Sequence, residues 1–265
     1  MVTFLLIVLG FLAGLLGALT GIGGGILITP ILALHFGIPI RQAIGTGLVA
    51  VITTSAASSS VHLQRHTTDI RLGMTLELAT AMGAAVMAYL VGYFNRNVLE
   101  GLFAAFLLYS AITILTKRGK EEAAEESLLR SEEDVKIPPY EPQHYPLGLS
   151  ASLLAGGLSG LLGIGGGPIK VPVMFIFMNV PLMVATATSN FMIGVTAAAS
   201  ALVYYRRGDI LVQVAAPLAA GVFVGSLLGA RLAPRIHTRI VIYLLVGVML
   251  YLAGHLILHL SRGLL

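Results

Sequence analysis

A glycine-rich segment that interrupts an apolar run occurs twice in this chain. The first copy is Gly-Ile-Gly-Gly-Gly at 21–25, closed by Pro30, and the second is the same pentapeptide at 163–167, closed by Pro172. Every glycine and the closing proline lie at one constant offset from their counterparts. Glycine supplies unusual backbone angles or a close backbone approach, so each break constrains the apolar run that holds it. The pattern indicates a tandem duplication with one break in each half.

The duplication extends beyond the glycines. Pro39 pairs with Pro181 and Thr46 with Thr188 at the same offset. The offset is then expected to shorten by two residues, so that the loop at 65–69 matches the Arg-Gly-Asp loop at 207–209. Paired breaks in two halves are a strong sequence indication of a binding site in a membrane transporter.

The composition indicates a membrane protein. Hydrophobic residues make up 57% of the chain and charged residues only 11%, which is far from the composition of a soluble domain. Cysteine is absent, which excludes disulfides and thiolate chemistry. Eight of the twelve acidic residues crowd between the halves, and the basic residues follow apolar runs. That placement is typical of loops at the surface of a lipid bilayer, which is the expected partner, and it argues against a nucleic-acid partner.

The apolar runs predict an all-α polytopic membrane protein with five segments in each half. The runs are 2–19, 26–38, 43–61, 72–94 and 98–116, then 147–162, 169–179, 184–205, 210–232 and 240–260. The second run of each half would span only about 20 Å as a helix, too short to cross a hydrocarbon core of ~30 Å. It is therefore predicted to be a half-helix or one arm of a re-entrant hairpin.

The domain prediction is two transmembrane repeats, 1–116 and 146–265, joined by a charged cytoplasmic linker at 117–145. Within the linker, 121–129 is equally compatible with a surface helix and with disorder. Five segments per repeat is an odd number, which places the second copy upside down relative to the first. That parity holds if the first two runs form a hairpin and fails if they make a single broken crossing.

The basic residues predict the orientation. With both termini outside, ten basic residues lie on the inner side and five on the outer side. An excess of Lys and Arg marks the cytoplasmic side, so the prediction is an inner-membrane protein with N- and C-termini outside. The inner set is Arg65, Arg71, Lys117, Arg118, Lys120, Arg130, Lys136, Arg231, Arg235 and Arg239, and the outer set is Arg41, Arg96, Arg206, Arg207 and Arg262.

The glycine breaks are candidate anion sites. A glycine loop followed by Pro168 at the start of a helix would present free backbone N–H groups inside the membrane. The alternative is close helix packing, which is also the reading of Gly221, Gly225 and Gly229 and of Gly10 and Gly14. The cluster is no nucleotide signature, because no Gly-Lys-Ser/Thr follows it and no βαβ pattern surrounds it. No cofactor is expected. The glycines proposed to bind substrate are Gly23, Gly24, Gly25, Gly165, Gly166 and Gly167.

Charged and polar residues within the apolar runs are further candidates. Lys170 lies two residues after Pro168 where its counterpart is Ile28, and it is predicted to face a cavity or a partner rather than to reach an interface. Because a buried lysine needs a counter-charge, the expected partner is a bound anion or an acid such as Glu77. Glu77 and His35 are candidate proton carriers, although Glu77 would equally pair with Arg71, and a structural role is favoured for His35. Hydroxyl and amide groups open the third run of each half and would bind either substrate or a neighbouring helix. These are Thr46, Thr188, Ser189 and Asn190.

The duplicated glycine motif, the Ala-Thr-Ser start at 187–189 and the Tyr-Arg-Arg-Gly-Asp loop at 205–209 resemble the TauE/SafE sulfite-exporter family, also called the toluene-sulfonate uptake permeases. The resemblance covers nearly the whole chain and implies a multi-pass inner-membrane protein that moves sulfite, sulfonates and related anions. Lys170 and Glu77 are departures from the family pattern, so a role for them is particular to this chain. Gly45-Thr46-Gly47 also departs from the Thr-Ser that the family favours.

The hypothesis is a secondary transporter of a small anion, coupled to an ion gradient or running downhill, because no ATP motif is present. A homodimer is compatible with the sequence. One alternative is a transporter of a divalent metal held by His35, His62 and His66. Another is an intramembrane hydrolase that uses a serine with His255 or His259, although no Gly-x-Ser-x-Gly or His-Glu-x-x-His motif supports it. The chain is therefore predicted not to be an enzyme.

Overall fold

The computed structural model describes residues 2–21, 23–129, 140–233 and 238–263, and within these ranges it is helical without strands. A short 3₁₀ turn (Val91–Tyr93) extends α4, and a π turn (Val173–Phe177) extends α7. The helices of the described ranges are α1 (Val2–Thr20), α2 (Gly25–His35), α3 (Ile40–Gln64), α4 (Ile70–Leu90), α5 (Arg96–Leu129), α6 (Tyr145–Leu162), α7 (Gly167–Pro172), α8 (Leu182–Arg206), α9 (Val212–Leu232) and α10 (Thr238–Gly263).

Eight helices of the described residues are long and apolar enough to cross a membrane. The two short apolar helices are Gly25–His35 and Gly167–Phe177, as the sequence predicted for the runs after the glycines. The chain is thus an all-α, multi-pass membrane protein. α5 continues to Leu129, so the first part of the predicted linker is helical, whereas 130–139 lies outside the described residues.

The two halves keep one register throughout. Gly25 and Gly167, which begin α2 and α7, differ by 142 positions, and the first residues of α3 and α8, of α4 and α9, and of α5 and α10 differ by the same number. The predicted shortening by two residues is therefore wrong. Asp69 is equivalent to Leu211, because both cap a helix with nearly the same backbone angles, φ −85° and ψ 92° against φ −84° and ψ 94°. The prediction paired Asp69 with Asp209 because the two residues are of the same type. The register between the halves is instead set by the lengths of their helices.

The two halves exchange their first helices. α1 lies along α9 and α6 lies along α4, so each half supplies a helix to the other. Gly225 meets the Phe11 carbonyl and Gly229 meets Leu15, which makes α1 and α9 parallel. Gly83 meets Leu153 in the equivalent way. Small residues let membrane helices approach closely where lipid offers no hydrophobic force between them. The predicted packing role is confirmed for Gly221, Gly225 and Gly229 and for Gly10 and Gly14.

α3 and α8 form the centre and run antiparallel. Gly45 faces the Tyr204 ring near one end, and the Ser55 hydroxyl donates to the Asn190 carbonyl towards the other. We call the end that holds Asp69, Tyr140 and Thr188 the linker end, and the end that holds Thr46, Arg207 and Leu211 the opposite end. At the linker end, Tyr140 donates to Asp69 Oδ2 at 2.7 Å. Burial and this hydrogen bond raise the pKa of Tyr140.

Candidate functional site

The two glycine breaks meet near the middle of the central helices. Gly25 faces the Gly163 carbonyl, and Gly165 packs on Val51 of α3 and Ile193 of α8. Gly165 has φ 80°, in the left-handed region where a side chain would be strained. The breaks therefore combine a positive φ with close approach, and both are buried.

The second break leads directly into α7. Gly166 caps this helix, Pro168 stands in its first turn as predicted, and the Lys170 N–H donates to the Gly166 carbonyl at 3.1 Å. Pro172 cannot donate a backbone hydrogen bond, and the π turn begins at the next residue. The lysine side chain is thus placed on a short, irregular helix beside the glycines.

Lys170, Glu77 and Thr196 form one buried polar cluster. Lys170 Nζ lies 3.5 Å from Glu77 Oε2 and donates to Thr196 Oγ1 at 3.0 Å. Thr196 donates to Glu77 Oε1 at 2.6 Å. Lys170 and Glu77 are each only 3% exposed. Every member of the cluster contacts the other two, so this ion pair has the added hydrogen bonds that a buried charge pair needs.

This geometry decides between two readings of the sequence. Lys170 faces a partner, as predicted, and its burial excludes the alternative that it reaches an interface. The partner of Glu77 is Lys170, so the suggested pairing of Glu77 with Arg71 is wrong. The sequence named Glu77 as one possible partner of Lys170, because a buried lysine needs a counter-charge, but it could not choose between the alternatives for two residues that are 93 positions apart on different halves.

The site related to this cluster by the duplication has no charge. Ile28 stands at the position of Lys170, and Ala219 stands at that of Glu77. Thr54, the counterpart of Thr196, is fully buried beside Gly24, and its hydroxyl has no hydrogen-bond partner among the described residues. Sequence reasoning missed both threonines, although the constant offset pairs them within long apolar runs.

The polar residues at the start of α3 and α8 have other contacts. Thr188 Oγ1 accepts the Asp69 N–H at 2.9 Å, and Thr46 Oγ1 accepts the Leu211 N–H at 3.2 Å. Thr188 lies about two helical turns from Thr196 on α8. The pair Thr46 and Thr188 therefore lies at a different depth in the bundle from the pair Thr54 and Thr196. Asn190 Nδ2 lies 3.4 Å from His62 Nε2, and the Ser189 hydroxyl is buried without a partner among the described residues.

The histidines lie outside the Lys170 cluster. His35 is exposed at the end of α2, where its ring packs on His255 at 6.0 Å and Tyr251 at 6.4 Å. His259 Nδ1 lies 3.3 Å from Glu100 Oε2. Among the described residues, neither His255 nor His259 is hydrogen-bonded to a serine side chain. Within the described residues, no three His, Asp or Glu side chains form a group that could hold a metal ion.

The comparisons with known proteins agree with this architecture. The chain matches the family described as Sulfite exporter TauE/SafE over residues 6–256. The chain belongs to this family. Among its relatives, the probable membrane transporter protein YunE of Bacillus subtilis is 32% identical over 71% of this chain and 73% of its own length. The probable membrane transporter protein MJ0441 of Methanocaldococcus jannaschii is 31% identical over 64% of this chain and 60% of its own length.

A third relative, the probable membrane transporter protein YdhB of Bacillus subtilis, is 26% identical over 83% of this chain and 87% of its own length. No solved structure matches the chain. Family membership and the eight apolar helices together establish a multi-pass membrane transporter of the TauE/SafE family.

Proposed function

We propose that this chain is a proton-coupled secondary transporter of small sulfur-containing anions such as sulfite or organosulfonates. The single observation that carries the coupling is the buried Lys170–Glu77–Thr196 cluster beside the second glycine break. Family membership supports the substrate class. Intramembrane ionisable residues are rare and usually mark substrate pathways or proton relays.

In the proposed mechanism, a substrate anion replaces Glu77 as the charge partner of Lys170. While Glu77 is ionised, its carboxylate neutralises the ammonium group of Lys170. When a proton binds the carboxylate, Lys170 keeps its charge and is free to pair with a substrate anion. One proton and one monovalent anion then enter the site together, and the net charge of the site is unchanged. This avoids the cost of an unpaired charge in a medium of low dielectric.

The glycine breaks would supply the remaining contacts. Gly23, Gly24 and Gly25 in one half and Gly165, Gly166 and Gly167 in the other meet at the same depth as the cluster. The backbone N–H groups of these glycines would suit an oxyanion, except that of Gly23, which donates to the Gly17 carbonyl at 3.4 Å. Thr54 offers a buried hydroxyl without a partner among the described residues. Thr46, Thr188, Ser189 and Asn190 would line the route from either end. His35 would serve proton exchange at the opposite end, outside the cluster.

The alternation of access follows from the proposed inverted repeats. Antiparallel packing of α3 and α8, which occupy equivalent positions in the two halves, supports such an arrangement. The mechanism typical of inverted repeats is a movement of one bundle against the other around a site near the bilayer midplane. In the proposed orientation the linker end faces the cytoplasm.

Transport by purified protein in liposomes tests the proposal. Flux of sulfite, thiosulfate and short sulfonates is measured with and without a pH gradient. We expect the gradient to drive anion accumulation by the parent protein. Glu77→Gln should still exchange anion but should no longer respond to the gradient. Lys170→Met should weaken anion binding by about tenfold or more, about 1.4 kcal/mol, whereas Ile28→Met at the equivalent position should not.

Transport that responds to no ion gradient but requires ATP would overturn the proposal. Anion binding by Lys170→Met as tight as that of the parent would remove Lys170 from the substrate site. The search for that site would then move to Thr46, Thr188 and Asn190.

A further inference from the structure

A polar cavity lies at the opposite end of the bundle, beside the end of α4. Its volume is about 350 Å³, and it is lined by Arg41, Tyr89, Gly92, Tyr93, Arg207 and Asp209. We call it the interfacial cavity. Its size falls within the range of small-ligand pockets, about 300–1,000 Å³. It is distinct from the Lys170 cluster, because none of its lining residues contacts that cluster.

Two arginines are held in place around this cavity. Arg41 donates to the carbonyls of Gly92 and Phe94. Arg207 donates to the carbonyls of Ala88 and Tyr89, and its guanidinium lies 5.6 Å from the centre of the Tyr89 ring. Each guanidinium has five N–H donors, and these bonds occupy only some of them. The cavity therefore presents two oriented cations with donors to spare, which is a suitable arrangement for a phosphate group.

The cavity opens towards lipid. Tyr89 and Tyr93 are 61% and 78% exposed, and they continue a stripe of exposed apolar residues along the spanning helix α4. The stripe comprises Met74, Leu78, Met82 and Val86. Tyrosine is enriched where a membrane helix meets the headgroups. The two arginines thus lie at headgroup depth, next to a surface along which acyl chains would run.

Asp209 narrows the choice of ligand. Asp209 lines the same cavity as the two arginines, and both guanidinium groups are close enough to act on its carboxyl group. A carboxylate repels a simple anion and attracts a primary ammonium group. Burial raises the pKa of Asp209, and Arg207 and Arg41 oppose this effect. A ligand with a phosphate for the arginines and an ammonium group for Asp209 matches all three charges.

We propose that the interfacial cavity binds a phospholipid headgroup that carries both a phosphate and a primary ammonium group. The related location at the linker end lacks such a site, because Met183 replaces Arg41 and Thr67 replaces Asp209 at the equivalent positions. One such lipid would therefore bind at the opposite end only. The phosphate would bridge Arg41 and Arg207, and Tyr89 and Tyr93 would flank the glycerol region.

Native mass spectrometry tests this site on the purified full chain in mixed micelles. The micelles contain equal amounts of phosphatidylethanolamine and phosphatidylcholine with the same acyl chains. Only the first lipid has an ammonium group that donates hydrogen bonds. We expect the parent to retain about three times as much phosphatidylethanolamine as phosphatidylcholine, or more, because only the former can donate a charge-assisted hydrogen bond to Asp209. Asp209→Asn should abolish the preference, and Arg41→Met should lower retention of both lipids.

Arg71→Leu is the matched control, since it removes an exposed arginine from the other end of α4 and should leave both results unchanged. Thermal unfolding of each variant verifies folding, and the isosteric Asp209→Asn keeps the test informative if Arg41→Met does not fold. Equal retention of the two lipids by the parent, or an unchanged preference in Asp209→Asn, overturns the proposal. Displacement of lipid by millimolar inorganic phosphate assigns the cavity to a soluble anion instead, and a lipid-free dimer assigns it to a second copy of the chain.

Discussion

Thr54 and Thr196 occupy the same position in the two halves, but among the described residues only the Thr196 hydroxyl is hydrogen-bonded. Thr196 donates to Glu77 at 2.6 Å and accepts from Lys170 at 3.0 Å, whereas Thr54 Oγ1 is buried without a partner. The two halves share a backbone plan, yet their polar interiors differ. This difference allows one half to serve as an internal control for the other.

Replacing each threonine with valine keeps the volume and removes the hydroxyl. Thr196→Val should lower the free energy of unfolding by about 1.5–3 kcal/mol, because it removes hydrogen bonds to charged groups. Thr54→Val should be close to neutral, since its hydroxyl already lacks a partner among the described residues. Denaturant unfolding in detergent micelles measures both values. Equal losses in the two variants would show that the cluster adds no stability through Thr196.

A double-mutant cycle measures the coupling between Lys170 and Glu77. Lys170→Met and Glu77→Gln each leave a buried partner behind, and breaking a buried pair in this way costs about 3–5 kcal/mol. The double variant should lose less than the sum of the two single losses. We expect a coupling energy of about 1–3 kcal/mol, as for residues in direct contact. Strictly additive losses would contradict the pairing.

The packing of α1 on α9 depends on glycine. A methyl group at Gly225 would collide with the Phe11 carbonyl, which belongs to a backbone that cannot move aside cheaply. Gly225→Ala should therefore lower the midpoint of thermal unfolding in micelles. Gly254→Ala is the control, because no atom of the described structure lies within 4 Å of the added methyl group. It should be neutral or stabilising by up to about 1 kcal/mol, the helix preference of alanine over glycine. A lower midpoint for the control alone would refute this reading of the interface.

Cysteine labelling tests the orientation, since the chain has no cysteine of its own. Glu141→Cys places a thiol at the linker end, and Asn97→Cys places one at the opposite end, both at exposed positions. A membrane-impermeant maleimide added to intact cells should label the second variant and not the first. Labelling of Glu141→Cys alone from outside would reverse the proposed topology.

Local patterns in the sequence were sufficient for the helices. Apolar runs predicted the spans, and their lengths predicted the short helices after the glycines, because hydrocarbon thickness sets how many residues can cross. Pro168 was predicted at the start of α7 because proline, which has no N–H, suits a position whose N–H needs no helical partner. The glycines of α9 were recognised by their spacing of four residues.

Contacts between distant residues could not be predicted in this way. The sequence marked Lys170 and Glu77 as unusual, but it offered Arg71 as an equally good partner for Glu77. The register of the second half was mistaken by two residues where Asp69 was matched with Asp209. Both errors arise because a similar residue type is a weaker constraint than helix packing. The sequence did not indicate the interfacial cavity, since its residues come from three separated segments.

The pairing of α1 with α9 also bears on how the chain is made. At a synthesis rate of about 5–20 residues per second, on the order of 10–40 s pass between the appearance of Val2–Thr20 and that of its partner. During this interval α1 must reside in the bilayer with its glycine face open to lipid. The α1 sequence contains no charged residue, so the helix is stable in lipid before its partner helix is made. The nascent protein can therefore complete this interface only after α9 has been synthesised.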